Sequence, residues 1–141
     1  MNTDDMRNNL HNEYLAISHD WTVALTDLEL KIRDLNETRR ESAQLKSDLE
    51  FYQSSALLAE THKEGRINGS NEQTRKQQAA LLLKDLRTTD PEYKALADAV
   101  DRTQLHDDEL QVDIQVLQSR ISFLRNQSRM VAGLAYALAG V

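Results

Sequence analysis

The chain has 141 residues, a formal net charge of −6, no cysteine, one proline and 5% aromatic residues. Without cysteine it forms neither a disulfide framework nor a thiolate zinc site, and so few aromatic residues are atypical of a β-sandwich or barrel. The negative charge disfavours a general affinity for nucleic acid, which depends on neutralising phosphates. Abundant Leu, Ala, Glu, Gln, Lys and Arg are typical of long helices and coiled coils.

The first predicted element is a helix over residues 4–64. Its apolar residues recur at alternating steps of three and four, the heptad pattern of a coiled coil, with one extra step of four at Trp21 that indicates a single stutter. Polar Thr38 and Ser42 interrupt this seam, whose apolar members are Leu10, Tyr14, Ile17, Trp21, Leu25, Leu28, Ile32, Leu35, Leu45, Leu49, Tyr52, Ala56 and Ala59. Such a helix needs partner helices from the same chain or from other copies.

A turn is predicted at residues 65–70. Gly65 suits the left-handed position after a helix end, and Asn68-Gly69 is a strong turn pair. Ser70 with Gln73 fits a capping box, which would start a second helix over residues 71–87.

Asp90 as N-cap and Pro91 as first helical residue predict a third helix over residues 91–139. Its heptad pattern continues through polar Thr103 and Asp107. The predicted fold class is all-α: a long antiparallel helical hairpin or coiled coil with a bend near Pro91, in a single elongated domain over residues 1–141, assembling into a helical oligomer. A three-helix zigzag is the alternative, and matched arm lengths favour the hairpin.

The sequence predicts no catalytic residue, no metal site and no cofactor. Carboxylate pairs such as Glu37 with Glu41 lack the Glu-x-x-His partners of metal-binding bundles, and no phosphate-binding glycine loop is present. The four histidines have no metal-ligand spacing; they are His11, His19, His62 and His106. The chain is therefore not expected to be an enzyme.

Two segments are candidates for binding. Basic residues surround the first turn, so the exposed recognition tip is predicted to comprise Arg66, Asn68, Asn71 and Arg75. The C-terminal run 130–141 is apolar but shorter than the roughly 20 residues that span a bilayer. It is predicted to be an oligomerisation core formed by Val131, Leu134, Ala135 and Leu138. The acidic, polar N-terminus does not look like a signal peptide, and a cytoplasmic location is expected.

The turn segment resembles a pattern in small helical bacteriophage proteins. These carry Gly-x-Ile-x-Gly-Lys-Asn, then an arginine a few residues on, between two helical stretches. Ser70 stands where the pattern has lysine, and the matching residues are Gly65, Ile67, Gly69, Asn71 and Arg75. The helical layout is also similar to phage recombination mediators of the UvsY type, small helical oligomers that load recombinase on single-stranded DNA.

These resemblances imply a non-enzymatic, homo-oligomeric coiled-coil protein that acts by binding. The expected role is an accessory factor in phage DNA replication or recombination, in the cytoplasm of a bacterial host. A protein partner is expected, with single-stranded DNA as a further candidate ligand and no membrane. Two other functions stay open, an inhibitor of a host antiviral defence protein and a virion structural protein.

Overall fold

A computed structural model describes residues 2–140; Met1, which opens the polar N-terminus, and Val141, which ends the apolar C-terminal run, lie outside it. Its helices are α1 (Thr3–Glu60), α2 (Glu72–Thr89) and α3 (Pro91–Ala139). Over residues 2–140 there is no strand, and the predicted all-α class is confirmed. No stretch of these helices has the length and apolar character that crossing a membrane requires.

The chain packs as two compact units. The terminal unit contains the described residues up to Asn36 and from Asp108 onward, and the middle unit contains Glu37–Asp107. In the terminal unit, Lys31 of α1 pairs with Asp113 of α3 at 3.3 Å. In the middle unit, Arg39 pairs with Asp107 at 3.0 Å. Moving along α1 thus moves backward along α3, and the predicted antiparallel hairpin packing is confirmed. The single domain over residues 1–141 stays a prediction.

The core of the terminal unit follows an unbroken heptad, so the predicted stutter at Trp21 is wrong. Ala24 is only 2% exposed, whereas Leu25 and Ile32, which the stutter required in the seam, are 47% and 42% exposed. Ala24 continues the three-four spacing from Ile17, and its small side chain lets α3 approach α1 closely. The buried cluster consists of Ile17, Ala24, Leu124 and Val131, with Leu10, Trp21 and Ile121 packed against it.

Helix α1 ends at Glu60, four residues before the predicted end at 64. The non-helical segment is accordingly 61–71 and is longer than the predicted turn 65–70. The physical cause is a competing partner for the last turn: the Glu60 carbonyl accepts a hydrogen bond from the amide of Ile67 at 3.0 Å. Because Ile67 is buried, the chain gains apolar contact by folding back over the helix end.

Helix α3 begins at Pro91, as the sequence predicts. The Asp90 carboxylate accepts hydrogen bonds from the amides of Glu92 and Tyr93 at 3.0 and 3.2 Å, which satisfies two of the donors that a helix N-terminus leaves unpaired. Helix α2 continues to Thr89, two residues beyond the predicted end at 87. Arg87 joins α2 to α3 across the break, with contacts to Asp98 and Asp101 at 3.1 and 2.6 Å.

Candidate functional site

The loop 61–71 carries the predicted recognition tip and is fixed to the end of α1. Ile67 is 6% exposed and anchors the loop in the middle unit. Besides the bond from Ile67 to its carbonyl, Glu60 accepts a hydrogen bond at its side chain from the amide of Arg66 at 3.1 Å. One residue at the helix end therefore holds two successive loop amides.

Two glycines allow this loop to pack tightly. A Cβ on Gly65 would lie 2.1 Å from the Glu60 carbonyl oxygen, and a Cβ on Gly69 would lie 2.6 Å from Thr74 Cγ2. Among the described glycines none has a positive φ, so the predicted left-handed conformation of Gly65 is wrong. Glycine is required here because the chain passes too close to its neighbours for any side chain.

Asn71 caps α2, and the predicted capping by Ser70 is wrong. The Asn71 carboxamide oxygen accepts a hydrogen bond from the Thr74 amide at 2.8 Å, and α2 begins at Glu72 rather than at 71. One turn on, Arg75 reaches back to the carbonyl of Gly69 at 3.3 Å. Asparagine and serine are both good N-caps, and here Asn71 is the residue whose side chain accepts the amide three residues on.

The other two tip residues bond to side chains of α2. Asn68 exchanges hydrogen bonds with Gln78, whose carboxamide oxygen also accepts the Gly69 amide. Arg66 pairs with Asp85 at 2.5 Å. The structure thus brings the four predicted tip residues into one exposed loop region, with each already bonded within the chain. The contacts of Gln78 with Asn68 and of Asp85 with Arg66 were not predicted from the sequence, because the number of residues between the partners follows no helical or heptad period.

A buried polar layer lies in the middle unit. Its members are each less than 9% exposed: Thr38, Ser42, Thr103 and Asp107. Asp107 accepts a hydrogen bond from Arg39 Nε at 3.0 Å, and the antiparallel register then sets Ser42 at the level of Thr103, one turn away. Polar residues at seam positions fix helix register, and all four were readable as seam positions from their heptad spacing.

A second polar contact lies where α2 meets α3. The Tyr52 hydroxyl of α1 donates a hydrogen bond to the Asp90 carboxylate, and the rings of Tyr52 and Tyr93 lie 5.8 Å apart. The bond to Asp90 and its negative charge raise the pKa of Tyr52 to about 12. The bond from Tyr52 and the amides of Tyr93 and Glu92 hold the pKa of Asp90 below its ordinary value.

The predicted oligomer-core residues lie along one face of α3 but differ in how far they are buried. Val131 is 7% exposed and belongs to the chain's own core. Leu138 is half-buried, and its carbonyl accepts a hydrogen bond from Arg7 at 3.0 Å. Leu134 and Ala135 are exposed. Leu134 is therefore the large apolar member that stays available to another molecule.

Further apolar side chains are exposed along the terminal unit. On α1 they include Val23 and Leu30; on α3 they are Val112, Val116, Phe123, Met130, Leu134 and Tyr136. Leu30 and Val116 line one groove of about 580 Å³, which also contains the Lys31–Asp113 pair. Asp27 and Asp34 line the same groove, so charged side chains lie between the apolar residues of α1 and α3 there.

Within residues 2–140, no group of three or more histidine, aspartate or glutamate side chains is arranged to hold a metal ion. The chain matches no protein-family model, no curated protein and no solved structure. Its candidate surfaces are therefore interpreted from their own geometry.

Proposed function

We propose that the chain is a non-enzymatic, self-assembling coiled-coil protein that acts by binding other macromolecules. The observation that carries the proposal is the set of large apolar side chains that stay exposed on the long helices of the terminal unit, among them Leu30 at 49%, Phe123 at 59% and Met130 at 68%. Exposed apolar surface is typical of proteins that associate with other macromolecules.

Within this class, we propose an accessory role in phage DNA replication or recombination, in the bacterial cytoplasm. The resemblance of residues 65–75 to small phage proteins supports this setting. The loop contacts add a physical argument, since each residue shared with the phage pattern has a part in the loop: two glycines permit close packing, Ile67 is buried, Asn71 caps α2 and Arg75 bonds back to Gly69. A chain that carries all five is expected to form the same loop.

The charge distribution favours a protein as the main partner. The chain has a net charge of −6, and Arg66 already pairs with the Asp85 carboxylate. Phosphate binding draws on basic groups that neutralise the backbone. Lys63 is exposed and lies beside the tip, and we expect it to contact an acidic surface of the partner protein. Single-stranded DNA is the second candidate ligand.

Self-assembly is tested by light scattering coupled to size-exclusion chromatography at micromolar concentration. We expect a mass that is a multiple of the 16.1 kDa chain. A monomer would contradict the proposal.

The accessory role is tested by affinity capture from phage-infected bacteria, with mass spectrometry of the bound proteins. We expect a phage replication or recombination protein, captured less by Lys63→Glu and equally by the matched control Lys46→Glu on α1. Capture of a host defence protein or of virion components instead would contradict the accessory role. A gel-shift titration with single-stranded DNA at low and high salt separates direct DNA binding, which is salt-sensitive, from recruitment by a protein.

A further inference from the structure

The loop 61–71 contains the chain's one Asn-Gly pair, Asn68-Gly69. In such a pair the backbone nitrogen of the glycine can attack the side-chain carbonyl carbon of the asparagine, because glycine has no Cβ to shield its nitrogen. Asn68 is exposed and Gly69 is half-buried, so water has access to the pair. The local sequence therefore carries its own route to a covalent change.

The reaction open to this pair is deamidation through a succinimide. The Gly69 nitrogen loses its proton and bonds to Asn68 Cγ, the Cγ–Nδ2 bond breaks, and the side-chain nitrogen leaves as ammonia with that proton. Water then opens the succinimide ring at either carbonyl, which gives aspartate or isoaspartate. The reaction involves no oxidation or reduction, and water is its co-reactant.

Gln78 on α2 holds both reacting groups. Its Oε1 accepts hydrogen bonds from the amides of Asn68 at 3.0 Å and Gly69 at 2.8 Å, and its Nε2 donates to Asn68 Oδ1 at 2.9 Å. Because backbone amides only donate, the Gln78 atom that faces them must be the oxygen, which leaves the nitrogen to face the Asn68 carbonyl group. One carboxamide thus binds the attacking nitrogen and the group that it attacks.

These contacts oppose the first step of the reaction. The Gly69 nitrogen can lose its proton and attack only after its hydrogen bond to Gln78 breaks. Attack also requires direct contact between this nitrogen and Asn68 Cγ, whereas the Gln78 carboxamide bridges the two groups. Gly69 has little room to shift, since a Cβ there would lie 2.6 Å from Thr74 Cγ2. The closed loop therefore stabilises the unreacted pair.

We propose that Asn68 is a site of spontaneous deamidation and that Gln78 controls the rate. Conversion is slow while Gln78 binds the loop and becomes fast when the loop opens away from α2. The two roles are separable, because the Asn-Gly pair supplies the chemistry and the α2 side chain sets its speed. The inference depends neither on self-assembly nor on the identity of a partner.

The products differ from the original loop in charge and in backbone length. Aspartate at position 68 adds a carboxylate to the exposed recognition tip, close in sequence to Arg66. Isoaspartate routes the main chain through the side-chain carbon and lengthens it. The lengthened chain no longer places both amides on Gln78 Oε1, so conversion to isoaspartate leaves the loop unable to close as before.

Mass spectrometry of the full-length chain tests the site. The folded protein is incubated in mildly alkaline buffer and digested with trypsin, which releases residues 67–75 as one peptide. This peptide also contains Asn71, which precedes Glu72 rather than glycine and serves as an internal control. We expect slow conversion at Asn68, faster conversion in urea, and isoaspartate among the products, because direct hydrolysis of the carboxamide gives aspartate alone.

Substitution of Gln78 tests the control of the rate. Gln78→Met keeps the length of the side chain, removes its hydrogen bonds and is expected to speed conversion about tenfold. Gln78→Ala should have the same effect. The matched control is Asp85→Ala, which removes the contact of Arg66 with α2 and leaves the Gln78 bonds in place. This control is expected to convert at the wild-type rate.

Hydrogen exchange separates a local effect from general opening of the loop. In Gln78→Met the Gly69 amide should lose protection, whereas the Ile67 amide, which bonds to the Glu60 carbonyl, should keep it. Loss of protection at both amides, or equal acceleration by Asp85→Ala, would overturn control by Gln78. A Gln78→Met chain that converts at the wild-type rate would overturn it as well. Absence of conversion at Asn68 in urea, or conversion without isoaspartate, would overturn the site.

Discussion

The Tyr52 hydroxyl on α1 donates its hydrogen bond to the Asp90 carboxylate that caps α3. A single carboxylate thus joins α1 to the first turn of α3, while the Asp90 amide bonds to the Leu86 carbonyl at the end of α2. Helices α1, α2 and α3 thus meet at this residue. The Tyr52–Asp90 hydrogen bond therefore forms only when α1 packs against the junction between α2 and α3.

Stability is expected to depend on pH at this contact. The pKa of Tyr52 is raised from 10.0 to about 12, so its stabilising contribution is present below pH 10 and is lost as the pH rises toward 12. The pKa of Asp90 is lowered from 3.8, so its contribution is present above that pH and is lost as the pH falls through the native value. Tyr52→Phe should therefore lower Tm by a few degrees between about pH 5 and 9, with the difference shrinking at both extremes.

The measurement is thermal unfolding of wild type and Tyr52→Phe across the pH range. Tyr14→Phe is the control, since Tyr14 is an exposed tyrosine at 43% and its removal should leave Tm unchanged. A Tyr52→Phe difference that stayed constant up to pH 12 would contradict the role of the hydroxyl proton.

The loop glycines should resist substitution. Gly65→Ala places a Cβ 2.1 Å from a backbone oxygen, which requires the backbone to move and is expected to lower the free energy of unfolding by about 1–3 kcal/mol. Gly69→Ala meets the Thr74 side chain, which can adjust in part, and should cost less. Gly140→Ala, whose nearest contact is 3.6 Å, is the neutral control. Urea unfolding measures all three, and equal midpoints would contradict the close approach.

The unbroken heptad makes opposite predictions for two neighbouring residues. Ala24 is 2% exposed against α3, so Ala24→Leu should destabilise the terminal unit by about 1–3 kcal/mol through overpacking. Leu25 is 47% exposed, so Leu25→Ala should change the free energy of unfolding by less than about 0.5 kcal/mol. Urea unfolding followed by Trp21 fluorescence measures both. A larger loss in the free energy of unfolding for Leu25→Ala than for Ala24→Leu would contradict the unbroken heptad and support a stutter at Trp21.

Much of the fold could be predicted from local rules. Asp90 as N-cap and Pro91 as first helical residue predicted the start of α3 correctly. The heptad spacing also predicted that Thr103 and Asp107 occupy seam positions, and both are buried although they are polar. The stutter misled because hydrophobicity favours Leu25 over Ala24, whereas close packing of two helices favours the smaller residue. Regular heptad spacing identifies the buried residue Ala24, whereas a choice by side-chain size identifies the exposed Leu25.

The loop was less predictable, because its structure depends on contacts between residues without periodic spacing. The bond from the Ile67 amide to the Glu60 carbonyl lies at the end of α1, and Asn71 caps α2. Neither contact is visible in the capping pattern of Ser70 and Gln73.

The buried polar layer should stabilise register at a cost in stability. Asp107→Ala removes the acceptor of Arg39 Nε and is expected to lower the free energy of unfolding by about 1–3 kcal/mol. Replacing the whole layer by Thr38→Val, Ser42→Ala, Thr103→Val and Asp107→Leu should instead raise it, because apolar side chains of similar volume avoid the cost of burying polar groups. The same variant should lose a unique helix register, because an apolar seam can slip by a heptad, and its amide NMR spectrum should show multiple or broadened signals. A more stable variant with a single sharp set of signals would contradict a role of the buried polar layer in fixing the helix register.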